Sequence, residues 1–286
     1  MDLATDTIDQ EDYEAKFFDS QPASWIKEHR LALQCTNCQS PAYFRKRSVS
    51  GQGACFGASP HAEGCDLATK SNEEGERAEA VEKDIRENPG GHFDLRLDLP
   101  KRAAKNTPVS AAGSGVAGNK AGRFTKWGAK QASSSSIAAR QMLINLAISE
   151  KYRESTQTIS TPQTNGKIQI RDYFIRFQDA TAAAEGQERG YWGTIMEPGD
   201  AGDGTWINTG TQGNLSIFIP KPVETEFFLA YGIDGWEDLV GAYMMVIGEL
   251  KVSKNGKNRK YVKPLAAKNI VVYIPKGNEV VDTIAQ

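Results

Sequence analysis

The chain has 286 residues, a formal net charge of -2 and 39% apolar residues, enough for two domains and a sizeable core. The start, Met1-Asp2-Leu3-Ala4-Thr5-Asp6, lacks the basic and apolar regions of a secretory signal. No 18-residue apolar run is available to span a bilayer, so a cytoplasmic protein with reduced thiols is expected. The small net charge hides segregation. Residues 1–98 carry 19 acids and 11 bases, and residues 99–149 carry 8 bases and no acid. Residues 150–249 carry 15 acids and 7 bases, and residues 250–278 carry 8 bases and no acid. Two basic blocks insulated from acidic ones are the electrostatic footprint of a protein that meets a polyanion.

Residues 1–22 form an acidic segment, low in apolar residues apart from Phe17 and Phe18. A zinc module is then expected over residues 23–100. All four cysteines of the chain fall within 31 of its residues, as C-x2-C, a 16-residue gap and C-x9-C. The knuckle Cys35-Thr36-Asn37-Cys38 presents two sulfurs from one tight turn, and Cys55 and Cys65 close the site from a loop rich in Gly, Ser and Pro. Thiols in a reducing compartment favour a tetrahedral zinc ion over two disulfides, free thiols or an iron–sulfur cluster. The expected ligands are Cys35, Cys38, Cys55 and Cys65; His61 either replaces Cys55 or Cys65, supports a ligand from behind, or is purely structural. Four protein ligands leave no position for water, so this zinc is expected to be structural. Tyr43 beside Arg45, Lys46 and Arg47 makes a small candidate nucleic-acid patch within the module.

The elements Cys35-Thr36-Asn37-Cys38, Ala42-Tyr43-Phe44-Arg45, Cys55-Phe56-Gly57-Ala58 and Cys65 follow one another as knuckle, strand, ligand turn and final cysteine. In this order the zinc element resembles the N-terminal zinc module of the competence-protein CoiA family, although the family's histidines are missing from the Cys55 turn. Proteins of that family also carry a nuclease-like domain. The resemblance therefore implies a metal-dependent nuclease as a rival function.

Ser71 and Glu74 read as a capping box opening a helix, with Ala78, Val81 and Ile85 on one face and a stop at Asn88-Pro89-Gly90-Gly91. Residues 92–99 alternate polar and apolar as a short strand does. From 101 to 135 the chain is rich in Ala, Gly, Ser and Lys and reads as a flexible basic linker. Phe124 and Trp127 lie in it among Arg123, Lys126 and Lys130, placed either to stack on bases or to dock on the second domain.

The second domain is expected over residues 136–286. A helix spans about 136–154. Strands are predicted at 171–177, 190–196 and 215–219, a helix interrupted near Gly232 at 223–239, a strand at 242–252, and a last strand at 268–274 starting near Tyr261. Three strands, a helix and two strands is the order of an OB-fold barrel, and residues 165–276 resemble one. The fold class is thus α+β, mostly β, with a zinc module, a linker and a five-stranded OB-like barrel. That resemblance implies oligonucleotide binding on strands 2 and 3 and on the loops joining strands 1–2 and 4–5. The 4–5 connection carries Lys254, Lys257, Arg259 and Lys260 around an Asn255-Gly256 turn, with no acid to cancel them. Tyr173, Tyr191, Trp192, Trp206 and Phe218 are the candidate stacking platforms. Trp206, in a Gly-, Asp- and Thr-rich loop, is the best single choice.

These readings give a non-enzymatic protein that binds nucleic acid, preferably single-stranded DNA. Prokaryotic DNA replication or recombination, mobile-element biology and phage defence are the fitting contexts. Protein partners and a homo-oligomer are compatible with it. One alternative is a Mg2+-dependent D…E-x-K nuclease using Glu249 and Lys251 with Asp234 or Asp238. The other is an adaptor subunit that binds proteins of a DNA-processing complex.

Overall fold

A computed structural model of the chain describes residues 1–47, 53–58, 61–62, 64–68, 72–100, 135–164, 166–210, 214–254 and 259–275. The stretch read as a linker, with Phe124 and Trp127, lies outside them apart from residue 135. The fold is mixed α+β, and the described strands form four sheets.

The acidic start of the chain helps to build the N-terminal lobe. Strand β1 (Leu3–Asp6) pairs with β2 (Glu11–Glu14), and α1 (Ala15–Asp19) and α2 (Ala23–His29) follow. Strand β3 (Leu33–Gln34) returns to the other edge of β1. A separate hairpin joins β4 (Ala42–Arg45) to β5 (Cys55–Ala58). Phe18, Phe44 and Phe56 meet in the centre, with ring centroids 4.7–5.6 Å apart. Leu33, Ile26, Cys35 and Cys65 complete this small core. Asp6 is fully buried. It accepts from the Ile8 amide and lies 2.7 Å from His29 Nδ1, so the β1–β2 turn is pinned to α2.

The middle of the chain forms a four-stranded sheet in the order β7-β6-β8-β9. Helix α3 (Asn72–Glu87) leads into β6 (His92–Arg96), which lies parallel to both β7 (Ser135–Ala138) and β8 (Thr158–Ser160). Helix α4 (Ala139–Ile148) and the short α5 (Glu150–Arg153) connect β7 to β8, and β9 (Ile168–Gln169) closes the sheet. The apolar stripe Val81 and Ile85 of α3 and Leu95 of β6 pack with Met142, Leu143 and Ile159. The sequence groups α3 and β6 with the zinc module, but their packing partners lie beyond residue 135.

The predicted strand over 171–177 divides into helix α6 (Ile170–Tyr173) and a three-residue strand β10 (Phe174–Arg176). Then come β11 (Glu188–Thr194), β12 (Glu197–Asp200), β13 (Gly204–Asn208), β14 (Ser216–Pro220), α7 (Lys221–Tyr231), β15 (Tyr243–Val252), β16 (Lys260–Val262) and β17 (Ile270–Tyr273). The sheet path is β10-β11-β15-β16-β14-β13-β12, with β17 also on β15. Strands β16 and β17 are two separate elements, where the sequence suggests one. Helix α7 ends where Gly232 takes up a left-handed φ of 67°, which caps its last turn.

Strand β15 explains its own unbroken apolar run. Met244, Val246 and Leu250 face one core, with Tyr191, Ile217, Ile219 and Phe227. Tyr243, Met245 and Ile247 face the other, with α4 and β6. A strand covered on both faces needs no polar alternation.

The N-terminal lobe docks on the β15 end of this sheet. Arg45 donates to the Val240 carbonyl through Nη2 (2.9 Å) and Nε (3.3 Å), and Tyr43 packs with Met196 and Val240. Gly241 has φ +85°, and a Cβ there would lie 2.2 Å from the Tyr43 ring. Gly241→Ala is therefore expected to destabilise the protein by ~2–4 kcal/mol, from left-handed strain plus the clash. The thermal midpoint and protease susceptibility near Arg45 read the loss.

Candidate metal centre and aromatic sheet face

The structure gathers Cys35, Cys38, Cys65 and His61, whose ligand atoms all lie within 4.8 Å of one another. Cys35 Sγ is 3.9 Å from Cys65 Sγ, and His61 Nδ1 is 3.5 Å from Cys38 Sγ and 3.3 Å from Cys65 Sγ. Cys55 is not part of this group. It sits on β5 opposite Arg45, next to the inward Phe56, and strand alternation turns it away. The expected four-sulfur set is thus corrected to three sulfurs and one imidazole, a set that could hold a metal ion.

The knuckle is shaped by its backbone. Gln39 N donates to Cys35 O and Cys35 N to Ser40 O, both at 2.9 Å, and Gln39 takes up φ 57° to allow this. That conformation costs a non-glycine residue about 1–2 kcal/mol. Gln39→Gly is expected to raise stability by ~0.5–1 kcal/mol, since glycine's greater unfolded-state entropy offsets part of the relief. A denaturant midpoint measures it.

The thiols are unevenly poised. Burial opposes ionisation of Cys38, but contacts with Ser40, the Ala62 backbone and His61 outweigh it and lower the thiol to about 5. Burial, and then its Cys38 and Cys35 neighbours, push Cys65 up.

The nucleic-acid candidates separate sharply. Arg45 is buried and committed to Val240, so it is withdrawn. Lys46 is exposed, and Arg47 pairs with Asp19 at 3.2 Å. Tyr191 is fully buried in the sheet's interior, and Trp192 is 4% exposed under Arg153 and Arg176. Tyr173 is fully buried, with its hydroxyl donating to Glu188. None of these three rings offers a face for stacking. Of the 4–5 loop, Lys254 and Arg259 are exposed, Lys260 donates to the Ala180 carbonyl, and Lys257 lies outside the described residues.

Trp206 stands on β13 rather than in a loop, and it is not alone. Its ring meets Phe218 of β14 at 4.9 Å and Tyr261 of β16 at 5.8 Å. The register puts Trp206 opposite Phe218 and Tyr261 opposite Lys251, so all four share one sheet face. Ile207, Ile217, Ile219 and Val262 alternate with them and fill the core behind. All three rings are half-buried, and Lys263 lies over Phe218 at 5.5 Å. Lys251, Lys254, Arg259 and Lys263 are exposed and form no ion pair among the described residues. Two exposed acids lie beside them: Glu249, next to Lys251 along β15, and Glu185, which lines one groove with Lys251, Lys254 and Tyr261.

No family model and no curated protein matches the chain. Solved structures that match include OBody AM2EP06, OBody AM1L10 and OBody AM3L09, each bound to hen egg-white lysozyme. They share 11%, 14% and 11% identity, cover 35%, 32% and 32% of this chain and 90%, 85% and 86% of their own, and give TM-scores of 0.25, 0.24 and 0.24. Similarity at that level carries no argument about fold or function.

The acids of the alternative nuclease site lie apart. Asp234 and Asp238 precede the start of β15, whereas Glu249 is six residues into it, ~20 Å along a strand. Among the described residues Glu249 joins no group of metal-ligating side chains. No described helix is long and apolar enough to cross a membrane.

Proposed function

We propose that the protein binds single-stranded nucleic acid, preferentially DNA, on the outer face of β13, β14 and β16, and that a structural zinc ion holds its N-terminal lobe. The observation that carries this reading is the trio Trp206, Phe218 and Tyr261, half-buried on one face, with four exposed cations nearby that form no ion pair among the described residues. Single-strand binders combine these two parts: flat rings on which bases stack and positive charge that follows the phosphates.

The pairing pattern supports an OB-like barrel. Strands β11 and β12 are separated only by Ile195 and Met196, whose amides donate to Ala242 and Asn208 in turn. Read as one bent strand over 188–200, they pair with β15 at one end and β13 at the other. On that reading, the parallel pairing of β14 with β16 and the β15–β16 hairpin would close a ring of five strands. In this reading α7 bridges strands 3 and 4, and the aromatic face belongs to strands 2, 3 and 5.

The distances in the thiol cluster support zinc. Tetrahedral bonds of about 2.3 Å to sulfur and 2.0–2.1 Å to nitrogen put neighbouring ligand atoms ~3.6–3.8 Å apart. Three of the six ligand–ligand separations, 3.3–3.9 Å, bracket that range, and all six lie within 4.8 Å. Two ligands come from the knuckle after β3 and two from the 61–65 turn after β5, so the ion would tie the hairpin to the knuckle.

The test is a fluorescence-anisotropy titration with labelled single- and double-stranded DNA and RNA at several salt concentrations. With four phosphate-facing cations, log K for a single strand should fall against log salt with a slope of roughly -3. Flat traces from every polynucleotide at low salt would refute the proposal and favour the adaptor role.

A further inference from the structure

A second cationic site lies away from the aromatic face, where the N-terminal lobe, α4–α5 and β11 meet. The cavity there holds about 100 Å³ and is lined by Arg153, Arg176, Trp192, Thr194, Asn214 and Tyr243 among others. Among the described residues no carboxylate lines it. Arg176 lies 5.4 Å and Arg153 5.9 Å from the same Trp192 ring centroid, so two guanidiniums share one indole. The arginine ion pairs of the described residues belong to Arg30, Arg47 and Arg171, and neither cavity arginine has one. Arg153 is held in place by donating from Nη1 to the Leu146 carbonyl at 2.8 Å. Burial, and next the charge of Arg176, pull the Arg153 guanidinium below its ordinary value, while Glu150 and Glu154 act on it only without direct pairing.

Two cations crowded on one ring, with the Asn214 amide beside them, form a receptor for a compact anion. Guanidinium presents its N–H groups in a fork that matches the oxygens of phosphate. The space is well below the roughly 300–1,000 Å³ of a drug-sized ligand, which leaves room for one tetrahedral group and not for a nucleobase. We propose that this cavity binds a single phosphate group, gripped by Arg153 and Arg176 with Asn214 as a supporting donor. The group belongs either to inorganic phosphate or to the terminal phosphate of a polynucleotide.

Calorimetric titration of the full chain with inorganic phosphate, in chloride buffer of constant ionic strength, tests this. Saturable binding is expected, weakened at least ~10-fold in Arg176→Gln by loss of one charge-assisted contact. Asn214→Ala is expected to weaken it ~3-fold, and serves if Arg176→Gln fails to fold. Absence of saturable binding to the unaltered protein, or equal affinity in a folded Arg176→Gln, overturns the proposal. Lys263→Ser should leave phosphate binding unchanged, which separates this site from the sheet face. Oligonucleotides with 5′-phosphate or 5′-hydroxyl ends distinguish the two sources. Tighter binding of the phosphorylated form, lost in Arg176→Gln, assigns the polynucleotide end, and equal binding assigns the free anion.

Discussion

His61→Ala is expected to weaken metal binding ~100-fold, so that a competing chelator strips it, whereas Cys55→Ala keeps one ion per chain under the same challenge. Structural zinc sites of this size contribute about 10–16 kcal/mol, so one ligand of four accounts for ~3 kcal/mol or ~100-fold in affinity. His61 is within 3.5 Å of two of the sulfurs, and Cys55 belongs to the β4–β5 ladder. Metal per chain, measured by mass spectrometry after gel filtration, separates the two variants. Retention of metal by His61→Ala together with its loss from Cys55→Ala would restore the all-cysteine site. The consequence for the lobe is large because Cys35 and Cys65 are also core residues beside Phe44 and Phe56. Lowering the pH should act in the same direction as chelation, since protons compete with the cation for every ligand. Metal loss should therefore undock Tyr43 and Arg45 from Val240 and Gly241, visible as new protease sites within residues 1–47.

Trp206→Ala should weaken single-stranded DNA binding by ~10–100-fold, with the fold retained. Each stacked base is worth roughly 1–3 kcal/mol, and Trp206 has the largest of the three rings. The ring is half-buried on the outer face, and the neighbouring Thr205 and Ile207 stay in place behind it. Tyr191→Phe removes only a buried hydroxyl that has no hydrogen-bond partner among the described residues, and should leave binding unchanged. Replacing Lys251, Lys254, Arg259 and Lys263 by serine should lower affinity at low salt and flatten the salt slope toward zero. If Trp206→Ala binds as well as the unaltered protein, the aromatic face is not where the strand lies.

Much of this was readable from the residues, and the failures have physical causes. The knuckle, the α3 stop at Pro89 and the long β15 were legible because each is a local pattern: a turn, a helix breaker, an apolar run. The fourth ligand was not, because counting cysteines ignores the direction of side chains. Cys55-Phe56-Gly57-Ala58 alternates, with Phe56 and Ala58 inward, and that alternation was the available signal against Cys55. The short spacing of His61 to Cys65 was the signal for the histidine. Trp206 was read as a loop residue because Asp200-Ala201-Gly202-Asp203-Gly204 looks like a long irregular stretch. It is a tight turn between β12 and β13, with Gly202 at φ 79° and its amide capped by Asp200. Arg45, Tyr191 and Trp192 were misjudged together, since burial between distant segments leaves no local mark. The pairing of β6 with β7 and β8 was invisible for the same reason: its partners are 40 or more residues away.

The position of β6 has a practical corollary for anyone dividing this polypeptide. It is flanked by parallel neighbours on both sides, so a recombinant fragment beginning at residue 136 would lack the middle rung of its own ladder. Leu143, Ile159 and Met245 would lose the cover that Leu95, Val81 and Ile85 give them, and the fragment would be sticky and ill-behaved. A split placed between residues 101 and 134, with both pieces co-expressed, would instead let the halves reassemble around that rung.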